Sequence, residues 1–114
     1  MVDDSNDFQT KLDELRKEFE QNLPSKIDQI REQWLSLRHG NWEMDQLSEL
    51  LSLVHKIAGS GGVFGFSRVS EVAHKIEDFL QIITRLKKPI NEKGMKTMET
   101  YLEELYTAIN TNDQ

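Results

Sequence analysis

The chain contains no cysteine. Disulfide staples and thiolate metal sites are therefore excluded, stability has to come from packing, and a reducing compartment, the cytoplasm, is the expected location. Proline is scarce, with two in 114 residues, so few positions interrupt a helix on stereochemical grounds. No apolar run approaches the roughly 18 residues of a membrane span, and no signal-peptide core is visible, so neither membrane insertion nor export is expected. Positive charge is also in short supply: 14 Lys and Arg against 20 Asp and Glu leave a net charge of −6. Phosphate backbones reward dense basic patches, so nucleic acid is disfavoured as a partner.

What is present is 37% hydrophobic and 30% charged residues, a balance suited to one folded domain spanning 1–114, with residues 1–7 and 110–114 frayed. Period-two alternation is lacking, whereas apolar residues recur at steps of three and four. Phe8, Leu12, Leu15 and Phe19 predict a first amphipathic helix, capped by Ser5 or Asp7 and ending near Asn22. Pro24, tolerable in a first helical turn, is read as opening a second helix that runs to Arg38 with Ile27, Ile30, Trp34 and Leu37 inward and Gly40 as its stop. A third helix begins near Met44 or Asp45. It is followed by a glycine-rich break, a fourth helix that Lys87, Lys88 and Pro89 terminate, and a last one carrying Met95, Met98, Leu102, Leu105 and Ile109. The expected fold class is all-α, an antiparallel four-helix bundle with an additional N-terminal helix.

Chemistry concentrates between Leu51 and Leu80. Leu47, Leu50, Leu51, Val54 and Ala58 form an apolar stripe, and Ser48, Ser52, His55 and Gly59 run beside it, which places His55 at the core boundary facing outward. Gly59, one turn later, leaves the ring uncovered on that side. On the following helix Val69, Val72, Ile76, Phe79 and Ile83 are flanked by Ser70, His74, Glu77 and Gln81. Antiparallel packing lets both polar stripes border one groove. Glu77 can then accept from Nδ1–H of His55, which fixes the tautomer and leaves the Nε2 lone pair free as a nucleophile.

The bland readings are a surface histidine, a solvated helix carboxylate and an ordinary polar face around His74. Gly59, Gly61, Gly62 and Gly65 resemble a nucleotide-cradling loop only superficially, because a helix and not a strand precedes them. They read better as a helix end whose turn is anchored in the core by Val63, Phe64 and Phe66. His55 and His74, nineteen residues apart with no cysteine, do not form a metal-ligand set. No serine pairs visibly with His55 and Glu77 for hydrolysis.

The run His55, Lys56, Ile57, Ala58, Gly59, Ser60, Gly61, Gly62, Val63, Phe64, Gly65, Phe66 resembles the signature of the histidine phosphotransfer (HPt) domain. The likeness is closest to the N-terminal phosphotransfer domain of chemotaxis-type histidine kinases, since His74 and Glu77 follow at matching separations. The resemblance implies that His55 accepts a phosphoryl group, that Glu77 orients it and that His74 lies nearby; His74 is then either an electrostatic modulator of His55 or part of an ordinary polar face. It further implies exchange with the aspartate of a response-regulator receiver domain or with a histidine kinase, in two-component signalling. The chain departs from the pattern at Ala58, where relatives usually have a lysine; Lys56, Lys75, Ser60 or the receiver are the alternative sources of compensating charge. Ser52, Lys56, Gly59, Ser60 and Lys75 are the expected phosphate-proximal or partner-binding residues. No P-loop, kinase-type ATP site or Mg²⁺-holding acidic cluster is visible, so the expectation is a phosphoryl carrier without kinase activity or a cofactor of its own, with Mg²⁺ on the receiver. The competing expectation is a degenerate helical module that docks a receiver or kinase without transferring phosphate.

Overall fold

A computed structural model of the chain describes residues 4–40, 42–87 and 90–111. Four helices follow in order: α1 (Asp4–His39), α2 (Met44–Val63), α3 (Ser67–Leu86) and α4 (Glu92–Thr111). The connections are short, so consecutive helices run antiparallel, each packing on its chain neighbour, and α1 closes the ring against α4. Among the described residues the architecture is an all-α bundle, as the periodicity predicts.

The core is one cluster fed by every helix. From α1 come Phe19, Leu23, Ile27, Ile30, Trp34 and Leu37, and α4 contributes Met98, Leu102, Leu105 and Ala108. α2 gives Leu47, Leu50, Val54, Ile57 and Ala58, while α3 gives Val69, Val72, Ala73, Ile76, Leu80 and Ile83. Leu51 and Phe79 pack against this cluster from half-buried positions.

One boundary differs from the expectation. The predicted break between Asn22 and Pro24 is absent, and α1 continues through Pro24 for 36 residues. Proline inside a helix removes the bond to the carbonyl four residues back. Here Leu23 and Ile27, on either side of the ring, are both essentially fully buried; burying two such side chains is worth several kcal/mol, enough to carry the helix across the defect. The additional N-terminal helix is thus the first half of α1. Ser5 and Asp7 fall inside it, and helix already occupies Asp4 to Asp7, where fraying was expected. α4 likewise stays helical through Asn110 to Thr111, where fraying is expected. Residues 1–3 and 112–114, Asn41, Lys88 and Pro89 lie outside the described residues, so the expectations for the extreme termini and for the Lys88–Pro89 stop fall there.

At 1.5 Å per residue α1 is about 54 Å long against about 30 Å for each of the others, so its first turns, before Arg16, overhang the bundle, consistent with a longest dimension of 60 Å. The overhang explains a second difference: Phe8 and Leu15, expected inward, are 65% and 51% exposed. Arg16 and Phe19 mark where α1 meets the other helices. The Arg16 Nε–H donates to the Phe64 carbonyl at 3.2 Å and its guanidinium lies over the Phe66 ring. Phe19 packs on both Phe64 and Phe66.

The α2–α3 turn is closed by backbone bonds. Phe66 N–H donates to Gly61 and Gly65 N–H to Gly62, with Gly65 left-handed at φ 84°, the pattern of a Schellman helix end. Gly61 permits the close approach of α3, because a Cβ there would lie 3.3 Å from the Ser70 amide nitrogen. Of the three apolar residues expected to anchor this turn, Phe66 is buried and Phe64 half-buried, but Val63 is 72% exposed. At the opposite end, Tyr106 donates to the Asp28 carboxylate and ties α4 to α1. Burial and then the Asp28 bond and charge push the phenol above its usual range, with Arg31 opposing.

Candidate functional site

The α2–α3 contact sets side by side the two stripes that the sequence places next to the apolar faces. Val54, Ile57 and Ala58 are buried around His55, which leaves the imidazole at the boundary with 71% of its side chain exposed. On α3, Val72, Ala73, Ile76 and Leu80 point into the core. Glu77 therefore sits at the core edge and is the buried charged residue among those described, 8% exposed.

A carboxylate so placed is costly unless its oxygens are satisfied. Both are. Oε2 is hydrogen-bonded to Nδ1 of His55, and Oε1 to Nδ1 of His74 at 3.2 Å. One carboxylate thus bridges two imidazoles, one from each helix. Since a carboxylate only accepts, Nδ1 of each ring is the protonated nitrogen in this arrangement, and each Nε2 keeps its lone pair directed away from Glu77.

The remaining expected site residues divide. Ser52, Lys56 and Gly59 are exposed on α2 around His55, and Ser60 is half-buried. At Gly59 nothing lies within 4 Å of where a Cβ would stand, so the approach to the ring is open from that side. Ala58 is buried, and its carbonyl accepts from Ser70 Oγ at 2.7 Å. Lys75 is not brought to His55: its ammonium lies 3.7 Å from Glu104 of α4, across the other side of α3. The Ser70 bond and the Arg16 contact at the turn have no counterpart among the sequence expectations. Ser70 was visible on the polar stripe, but a hydroxyl-to-carbonyl bond depends on the interhelical distance that Gly61 sets. No signal in the sequence marked Arg16.

The family model of the Hpt domain matches residues 14–111. The chain belongs to the Hpt domain family. The match covers all of α2, α3 and α4 and most of α1, and so includes the His55–Glu77–His74 cluster. No curated protein and no solved structure gives a significant match. Hpt domains are phosphoryl carriers and not kinases, so histidine phosphotransfer within a phosphorelay is the general function of this chain. Partners of this Hpt domain belong to two-component systems, as receiver or kinase. No helix among the described residues is long and apolar enough to cross a membrane.

Proposed function

We propose that His55 is the phosphoryl acceptor of this Hpt domain, and that it exchanges the group with the aspartate of a response-regulator receiver domain. The observation that carries this reading is the pairing of an exposed imidazole with a nearly buried carboxylate, Glu77 on Nδ1 of His55. Nε2 attacks phosphorus while the bond from phosphorus to the donor oxygen breaks, and the aspartate carboxylate leaves with the electron pair. With Nδ1 still protonated the ring gains positive charge as the N–P bond forms. Glu77 lies against that charge and stabilises it where water is partly excluded. In return transfer the same steps run backwards.

As an Hpt domain is a phosphoryl carrier and not a kinase, the group arrives already activated, from a histidine kinase or a phosphorylated receiver. Mg²⁺ and most neutralisation of the transferring oxygens come from the receiver. Lys56, Ser52, Ser60 and the bare backbone at Gly59 form the surface on which that partner docks, polar groups surrounding an open approach. Lys75, engaged with Glu104, is left out of this surface. The location is the cytoplasm, where receiver domains act.

The test is incubation with a phosphorylated receiver or kinase, followed by detection of acid-labile, base-stable phosphate. Labelling by these protein donors is expected in the wild type and at least a hundredfold less in His55→Gln, since the nucleophile is gone. Full labelling of that variant would rule the assignment out. Receiver binding without phosphohistidine in any variant would favour the docking module that the Ala58 departure leaves open.

A further inference from the structure

The features that single out His55 recur at His74. Its imidazole is 58% exposed. Its Nδ1 is bonded to the other oxygen of the same carboxylate at 3.2 Å, and its Nε2 has no hydrogen-bond partner among the described residues. Glu77 does not distinguish in kind between the two rings: each donates Nδ1–H to one oxygen and is left with an Nε2 lone pair on a largely exposed imidazole. The third histidine supplies the contrast. His39 is exposed at the end of α1, and no carboxylate is bonded to it among the described residues.

We propose that His74 is a second phosphoryl acceptor, activated by the same Glu77 and used in alternation with His55. The chemistry rests on the reading of His55 given above. With phosphoramidate as donor, Nε2 of His74 attacks phosphorus, the P–N bond breaks, and ammonia departs with the electron pair after protonation by water. The Nδ1 proton stays between the ring and Glu77 throughout. His55 is the more exposed of the two rings and has the open flank at Gly59, so it reacts faster. A protein donor docked over His55 selects that ring, whereas a small donor samples both. Because one carboxylate stabilises one ring cation at a time, and a second dianionic group would be placed beside the first, the two sites exclude each other. The product is a mixture of two singly phosphorylated isomers.

The experiment treats the full chain with phosphoramidate near neutral pH and reads intact mass and the modified residue by mass spectrometry, with circular dichroism confirming the helical fold of each variant. Expected for the wild type is a single added phosphoryl group, mostly on His55 with a minor fraction on His74 and none on His39. His55→Gln should still be labelled, within about tenfold of the wild-type rate, on His74. His55→Gln with His74→Gln should be unlabelled, and Glu77→Gln should slow both sites. Labelled wild type with an unlabelled His55→Gln overturns the second site and leaves the role of His55 intact. Label on His39 in His55→Gln, or a doubly phosphorylated wild type, overturns the part assigned to Glu77. A wild type that phosphoramidate never labels at any histidine overturns both readings.

Discussion

A glycine inside a helix costs about 1 kcal/mol relative to alanine, and Gly59 occupies such a position although nothing stands within 4 Å of where a Cβ would lie. Sterics do not require glycine at this point, and neither does the backbone, since α2 runs through it as ordinary helix. The remaining explanation is what a side chain would do to the flank of His55 one turn away. Gly59→Ala is therefore expected to raise stability by about 0.5–1 kcal/mol, measured by urea denaturation. The same methyl group should slow transfer between His55 and a receiver several-fold, with less effect on a small phosphodonor that needs no docking surface. A stabilised variant with undiminished transfer to the receiver would show that the partner makes no use of the bare backbone. The trade of stability for access at one position parallels that at Glu77, where a carboxylate is held at the core edge among Ala73, Ile76 and Leu80 in order to reach two imidazoles.

At the scale of helices, α1 shows what local signals miss. Pro24 is a sound reason to break a helix, yet Phe19, Leu23, Ile27 and Ile30 keep one apolar stripe in register across it, and tertiary burial wins over propensity. The proline should still carry a cost. Pro24→Ala restores the missing N–H at an exposed site; against an interior penalty of about 3 kcal/mol stands the loss of chain stiffening in the unfolded state, so a net gain of about 2 kcal/mol is expected. Urea unfolding with an unchanged m-value would measure it. A loss of stability instead would mean that a bend at Pro24 is needed to seat Phe19 on Phe64 and Phe66. The other helices are readable because each carries its own apolar stripe, and α2 has in addition a start at Met44 and an end in the glycine cluster. The adjacency of His55, Glu77 and His74 was readable for the same reason, three- and four-residue stripes beside two apolar faces. The turn of Lys75 toward Glu104 was not, because it depends on where α4 lies around α3, and the spacing within α3 holds no information about that. Nor could spacing show that Phe8 and Leu15 have no facing helix, since an apolar stripe looks the same whether or not the bundle extends far enough to cover it.

For the molecule as a whole, the question is where the functional bundle begins along α1. The family match starts at residue 14. Leu12 is half-buried facing Val63 and Phe64, and among the described residues firm engagement comes with Arg16, bonded to the Phe64 carbonyl, and Phe19, 7% exposed. These two observations agree that the segment before them is peripheral to the bundle. Removing residues 1–11 takes away Phe8, which is largely solvated, and should change stability by no more than about 0.5 kcal/mol, the range of surface substitutions. Removing residues 1–20 also takes Arg16 from the α2–α3 turn and Phe19 from the core, and should cost about 3–5 kcal/mol, the range for losing a buried aromatic ring. The turn loosened by the longer deletion is the one that positions α3 against α2, and with it Glu77 against His55. Phosphoryl uptake at His55 should therefore survive the shorter deletion unchanged and fall with the longer one, even under conditions where the remaining helices stay folded. Comparing urea midpoints and phosphoramidate labelling for the two truncations separates the parts of α1. Equal losses in both would place the overhang within the functional bundle and would require a contact for Phe8 in the working assembly.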